Sequence, residues 1–197
     1  MRSTRAASAV VLTACLLALA GCRASPDPAT PTSVWTPSGS PSAPAPGPTS
    51  AVAPAEPALP EAATEASERG ARAFIEYYWA LINYAQETGD VARLKALSAS
   101  TCSGCSAGIT GVRRLYRSGG RLQGGDYSIT IVQIGQLHGR DPSHVAFEAL
   151  VRVRNEEQHI VHPDGTQETQ HAGAHRVAVL AFWLVDHWRL DAMELRR

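Results

Sequence analysis

The stretch VAFEALVRVRNEEQHIVHPDGTQETQHAGAHRVAVLAFW, residues 145–183, sets the architecture of this protein, because it predicts two strands joined by a tight turn. Apolar and polar residues alternate along residues 145–154, which is the period-two pattern of a strand with one buried face. In HPDGT, residues 162–166, Pro163 fixes φ and Gly165 can adopt the positive φ that a tight turn needs. The stretch therefore predicts an antiparallel hairpin.

The same turn predicts the register of the hairpin. If His162 pairs with Thr166, the apolar residues of the two strands fall opposite one another on a single face. The predicted pairs are Val145 with Trp183, Phe147 with Ala181, Ala149 with Val179 and Val151 with Val177.

Two more turns add a strand on each side of the hairpin. One is a loop at residues 138–144, and the other is a two-residue turn at Asp186 and His187. Both keep the apolar residues on the same face, which predicts four antiparallel strands with one face toward a core. The pairs that these turns predict are Ile131 with Val151 and Trp183 with Leu190.

Helices precede the strands. Residues 64–90 place apolar side chains at steps of three and four, with Thr64 as a candidate N-cap and Gly89 as a candidate C-cap. A short helix follows Asp90, and a third is expected within residues 107–120. The class is therefore α+β, with N-terminal helices packed on a curved antiparallel sheet of four or more strands.

The first 22 residues predict export. Arg2 and Arg5 precede an apolar run at residues 6–20, which is too short for a membrane-spanning helix of about 20 apolar residues. The run ends in LAGC, which resembles the bacterial lipobox, so that residues 1–21 form a signal peptide and Cys22 carries lipid. The alternative is an ordinary signal peptide with a cysteine near its cleavage site. We expect an exported protein anchored by this lipid to the outer face of the cell membrane.

Residues 22–63 are rich in Pro, Ala, Ser and Thr and contain few large apolar residues, which predicts a disordered tether. The folded domain is then residues 64–197. The chain has 18 basic and 18 acidic residues and no block of like charge, so nucleic acid is not an expected partner.

Three features carry a resemblance to known families: the stretch at residues 73–90, the following LKALS, and Cys102 and Cys105 ahead of Tyr116. On these residues the domain resembles an uncharacterised lipoprotein family of high-GC Gram-positive bacteria. Helices followed by a sheet that closes on DHWRL are similar to the cone-shaped fold of the nuclear transport factor two superfamily. The resemblance implies a cone-like domain in the cell envelope and no assigned activity.

Cys102 and Cys105 form a CxxC motif, which is consistent with a redox centre, half of a zinc site or a disulfide. A redox pair is expected in a parallel α/β unit, and zinc needs four ligands that the neighbouring sequence does not offer. An exported chain favours a structural disulfide, which contributes about 2 kcal/mol by closing so short a loop. A thiol-disulfide protein is the least expected function.

Two surfaces are candidate sites. Glu157, His159 and His171 converge at the hairpin end and form a weak candidate metal site or pH-sensitive patch, although a solvated hairpin end is favoured. The outer sheet face carries more apolar residues than a solvated face needs, which predicts a homodimer or an envelope-protein partner, or burial under the chain's own third helix. Its candidate residues are Val132, Ile134, Leu150, Leu180, Phe182 and Leu184.

Few polar residues are expected to point inward from the sheet, namely Gln133, His175 and Glu194. They form no recognisable acid–base or nucleophile set, and no cofactor is expected. A non-enzymatic binding or scaffolding module is therefore the favoured function. The alternative is a protein that binds or transforms a small ligand in a pocket between the helices and the sheet.

Overall fold

The computed structural model describes residues 53–139 and 143–197. The predicted signal peptide, Cys22 and most of the predicted tether lie outside these residues. The end of the predicted tether, residues 53–63, lies within the described residues. Glu61–Thr64 form a 3-10 turn, and Ala63 is only 2% exposed within the core. The packed domain therefore starts before the predicted boundary at Thr64.

In the part of the chain that the structure describes, three α-helices precede the strands. Ser67 accepts a hydrogen bond from the Gly70 N–H and caps the first helix, whereas Thr64, the predicted N-cap, belongs to the 3-10 turn. Gly89 ends this helix at φ 78°, as predicted, and Asp90 accepts a hydrogen bond from the Ala92 N–H at the start of the second. The helices are α1 Glu68–Thr88, α2 Ala92–Ala96 and α3 Ser103–Arg117.

Within the described ranges seven strands form two antiparallel sheets, which confirms the α+β prediction. The larger sheet has the order β2-β3-β6-β7, and the smaller has the order β1-β4-β5. The strands are β1 Arg121–Gly124, β2 Tyr127–Leu137, β3 Ala146–Asn155, β4 Gln158–Val161, β5 Gln167–Gln170, β6 Gly173–Trp183 and β7 Trp188–Arg196.

The register of the central hairpin is confirmed. The His162 N–H donates to the Thr166 carbonyl, and Phe147 pairs with Ala181 as predicted. The hairpin is not continuous, however, because residues 156–157 and 171–172 leave the ladder. Since two residues leave on each side, the register is the same before and after the break. The hairpin tip then joins β1 to form the smaller sheet.

A β-bulge in β2 corrects one part of the prediction. Ile131 pairs with Val151 as predicted, but the register shifts after it, so that Gln133 pairs with Leu150. Ile134 is then opposite Ala149 on the inner face and packs against the core. Ile134 is therefore not part of the outer face, and Gln133 points outward rather than inward.

The predicted register between β6 and β7 is wrong by two residues. The connection spans residues 184–187, so Trp183 pairs with Trp188 rather than with Leu190. The register shifts again between Leu180 and Ala181, which puts Glu194 opposite Ala178 on the outer face. The predicted inward position of Glu194 is thus corrected.

Trp188 is the centre of the core, where it is 1% exposed. Its indole N–H donates to the Glu65 carbonyl at 3.1 Å, and its ring lies 5.2 Å from Trp183 and 6.3 Å from Phe74. It therefore joins α1 and the segment before it to the larger sheet. Every buried core residue that the structure describes lies between Ala63 and Leu190, so we expect a fragment of residues 53–197 to fold by itself. None of the helices in the described ranges is long and apolar enough to cross a membrane.

Candidate functional site

The CxxC motif forms a disulfide in the first turn of α3. Cys102 is the N-cap, and its sulfur accepts a hydrogen bond from the Cys105 N–H at 3.2 Å. A helix N-terminus is the position that reactive CxxC motifs use. Both cysteines are nearly fully buried, however, at 1% and 4% exposure. Burial closes the sulfur atoms to a client protein, so the geometry favours the structural disulfide over the redox centre.

Cys105 also lines a cavity of 270 Å³ between α1, α3 and the inner face of the larger sheet. The walls are mainly aromatic and aliphatic. Helices α1 and α3 contribute Trp79, Ile82 and Ile109, and the sheet contributes Val153, Val177 and Met193. The volume is slightly below the range of roughly 300–1,000 Å³ that is typical of small-molecule sites.

Gly108 of α3 leaves open space at the edge of this cavity. Gly108 lines the cavity, and an ideal Cβ atom on it would meet no heavy atom within 4 Å. Three of the residues that line the cavity are exposed to solvent: Gly108, His175 and Leu195. Leu195 is 74% exposed, which is unusual for a leucine and marks the mouth of the pocket together with the other two.

Most polar groups of the pocket are already engaged. The Tyr78 hydroxyl hydrogen-bonds to Ser98 at 2.7 Å, and burial raises the pKa of Tyr78. The side-chain oxygen Oε1 of Gln86 accepts a hydrogen bond from Nε2 of Gln158 at 2.6 Å. The two glutamines link α1 to β4, a contact that the sequence did not predict because it needs the second sheet.

Two polar side chains of the pocket are available to a ligand. Over the described residues, no hydrogen bond engages the Tyr127 hydroxyl or the His175 ring, and burial raises the pKa of Tyr127. The Tyr127 backbone is fixed by Asn83, which both accepts from its N–H and donates to its carbonyl at 2.9 Å. Of the three polar residues predicted to point inward, only His175 lies in the pocket.

The described residues that line the pocket form no acid–base pair. No described Asp or Glu lines it, and Cys105 is held in the disulfide. General acid–base chemistry needs an oriented proton donor or acceptor with a partner that tunes it, and no such pair is formed here. The arrangement can hold a small apolar molecule and offer it one or two hydrogen bonds.

The predicted interaction face is smaller than expected. Leu150, Leu180 and Phe182 lie on the outer face of the larger sheet and are half-buried, and Val132 is 49% exposed at the bulge. Leu184 lies beyond the end of β6, in the connection to β7. With Ile134 on the inner face, the apolar part of the outer face is interrupted rather than continuous.

The predicted cluster at the hairpin end is present. Glu157 Oε2 lies 3.3 Å from His171 Nδ1, and Glu157 Oε1 lies 3.7 Å from His159 Nε2. All three side chains are well exposed. His159 also hydrogen-bonds to Thr169 at 3.1 Å. In the part of the chain that the structure describes, no three His, Cys, Asp or Glu side chains are arranged to hold a metal ion.

These features define an α+β domain with two antiparallel sheets and an apolar pocket under its helices. The chain belongs to a family of unknown function (DUF6318), which matches residues 43–194. The match covers the whole folded domain except its last residues, together with the end of the Pro-rich segment. No curated protein matches the chain in sequence.

Solved structures show only distant similarity. The intermembrane space region of the chloroplast protein ARC6 is 12% identical, with a TM-score of 0.43 over 66% of this chain and 95% of that one. Aln2 from a Streptomyces species is 12% identical, with a TM-score of 0.36 over 64% and 90%. An uncharacterized protein with a cystatin-like fold from Caulobacter vibrioides is 15% identical, with a TM-score of 0.33 over 58% and 82%. Scores below 0.5 do not establish a shared fold.

Proposed function

We propose that this protein is a lipid-anchored, non-enzymatic binding module of the cell envelope whose ligand occupies the pocket between the helices and the larger sheet. The observation that carries the proposal is the 270 Å³ cavity with apolar walls and no carboxylate among its described lining residues. Apolar walls with a few polar groups are the usual composition of a small-molecule site.

The residues that line the pocket indicate the chemistry of its ligand. Its body is apolar and fills the space between Trp79, Ile109 and Met193. Its polar end hydrogen-bonds to the Tyr127 hydroxyl or the His175 ring, the two groups that have no described protein partner. A neutral molecule fits better than a charged one, because burying a charge without a counter-charge is unfavourable.

The pocket is tested with N-phenyl-1-naphthylamine, a neutral apolar dye whose fluorescence rises on burial. Gly108→Leu adds a large side chain at the lining of the cavity, and we expect it to weaken dye binding roughly tenfold or more, because the leucine competes with the ligand for this space. Gly111→Leu is the matched control, since it lies on the same helix, has the same open space around its Cβ and does not line the pocket. Equal dye affinities for both variants would contradict the pocket proposal.

Support for the lipid anchor and for the cone-like fold comes from the sequence. The LAGC motif at residues 19–22 supports the lipid anchor, and the order of helices and strands supports the cone-like fold. A Cys22→Ala chain expressed in a bacterium that acylates lipoproteins should leave the membrane fraction and appear in the soluble one after a wash in about 1 M salt, which screens contacts between charged side chains and lipids. Retention of the Cys22→Ala chain in the membrane fraction after this wash would contradict the anchor without affecting the pocket.

A further inference from the structure

The outer face of the larger sheet carries a row of arginines. Arg152 on β3 is directly opposite Arg176 on β6, and Arg176 is directly opposite Arg196 on β7. Arg154 follows two residues later on the same face of β3. The four residues come from three strands, which is why no block of basic residues is visible in the sequence.

The row is largely unneutralised. Arg196 lies 3.6 Å from Glu148 and 3.7 Å from Glu194. For Arg152, Arg154 and Arg176, which are exposed, the described ranges contain no ion pair and no side-chain hydrogen bond. Like charges directly opposite each other destabilise a sheet, so the row has an unfavourable energy unless an anion covers it.

We propose that this arginine row binds the phosphate groups of anionic lipids and lays the outer sheet face on the membrane. A guanidinium binds phosphate through two parallel hydrogen bonds, which makes arginine well suited to this ligand. Strands are about 4.8 Å apart, so the row spans roughly 10 Å and can contact several headgroups at a flat surface. Val132, 49% exposed at the bulge, and Leu150 lie next to the row and can contact the apolar edge of the headgroup layer.

The choice of a membrane as the source of the phosphates rests on the proposed function. A lipid on Cys22 would keep the domain near the bilayer and raise the effective concentration of headgroups at the sheet. The row itself does not depend on the anchor, so it is tested without it. The fragment of residues 53–197 lacks Cys22, and any binding to vesicles then comes from the folded domain.

The experiment is sedimentation of this fragment with phosphatidylcholine vesicles, with and without about 30% phosphatidylglycerol. We expect binding only to the anionic vesicles, weakening as salt is added. Each arginine near an anionic surface contributes roughly fivefold, so Arg152→Gln/Arg154→Gln/Arg176→Gln should bind about 100-fold more weakly. The matched control is Arg113→Gln/Arg114→Gln/Arg117→Gln on α3, which has the same net charge and should lose less than about fivefold.

Equal losses of vesicle binding in the two triple variants would overturn the proposal. So would binding of soluble polyphosphate without binding of anionic vesicles. A third contrary result is that the substitutions in the arginine row change the oligomeric state of the fragment and leave its vesicle binding unchanged. Thermal unfolding of each variant establishes that it is folded. The proposal is separable from the pocket, because Gly108→Leu should bind vesicles like the unaltered fragment. The arginine triple variant should likewise keep its affinity for N-phenyl-1-naphthylamine.

Discussion

The backbone of Gly104 in α3 lies so close to β7 that an ideal Cβ atom on this glycine would be 2.2 Å from the Met193 carbonyl oxygen. Gly108 and Gly111 on the same helix have no heavy atom within 4 Å of the same position. One helix therefore carries glycines with opposite roles. Gly104 permits the close approach to the sheet, and Gly108 leaves the pocket open beside it.

This contrast predicts opposite effects of alanine at two positions. Gly104→Ala should lower the free energy of unfolding by roughly 1–3 kcal/mol, because the Cβ atom collides with backbone that cannot easily move. Gly111→Ala should raise it by about 1 kcal/mol, because alanine favours the helix and meets open space. Urea denaturation of the 53–197 fragment measures both values. A change of the same sign at the two positions would contradict the predicted packing of α3 against β7.

The buried glutamine pair predicts a strong coupling. Gln158→Met removes the amide that donates to Gln86 at 2.6 Å, and it should cost about 1–3 kcal/mol because a buried acceptor loses its partner. The Gln86→Met/Gln158→Met double variant should lose less than the sum of the two single variants, since both buried groups are then apolar. Urea denaturation of all four proteins completes the cycle. Additive losses would show that the hydrogen bond is not formed in solution.

The disulfide is predicted to stabilise the domain modestly and to be hard to reduce. Cys102→Ser/Cys105→Ser should lower the free energy of unfolding by about 2 kcal/mol, because the bridge closes a loop of only four residues. Since both sulfurs are buried, titration with dithiothreitol and thiol labelling should give a reduction potential below about −300 mV. A value between about −200 and −120 mV, with one cysteine labelling rapidly, would instead indicate a reactive pair.

The hairpin register could be predicted from the sequence because two independent signals agree there. The turn chemistry of Pro163 and Gly165 and the alternation in β3 each specify the same pairing, and the observed Phe147–Ala181 pair follows from both. The bulges could not be predicted. With a single extra residue such as Val132, the apolar–polar pattern still predicts a strand. The extra residue nevertheless moves every later side chain of the strand to the opposite face of the sheet.

The sequence predicts the pocket only as part of the alternative function, and the reason differs from that for the bulges. Its shape depends on where α3 sits against the sheet, and that position is set by the close approach of Gly104 to Met193. In a sequence, a glycine within a helix indicates a less stable helix. Gly104 and Gly108 are four residues apart and therefore lie on one face of α3, which is the sequence feature that points to a close approach. This feature predicts a pocket only when the surface that faces the helix is known.

Tyr127 predicts a dependence of stability on alkaline pH. Burial raises the pKa of this hydroxyl above the unfolded value of about 10, so the folded state keeps its proton where the unfolded state has lost it. On this account the free energy of unfolding is unchanged below about pH 10 and falls as the pH rises above it. Tyr127→Phe keeps the backbone bonds to Asn83 and should make the fall shallower. Identical slopes above about pH 10 would mean that the hydroxyl is solvated.

The arginine row predicts that a substitution in its centre stabilises the free protein. Arg176 has arginines directly opposite on both neighbouring strands, so Arg176→Gln should raise the free energy of unfolding by roughly 0.2–1 kcal/mol per relieved pair at low salt. The gain should vanish near 1 M salt, where the screening length is about 3 Å. Arg154→Gln is the control, because the residues directly opposite it are the uncharged Ser128 and Ala174, so that less repulsion is relieved and a smaller gain is expected. Equal gains for the two variants, or a gain at Arg176 that persists in high salt, would show that the row does not store electrostatic repulsion.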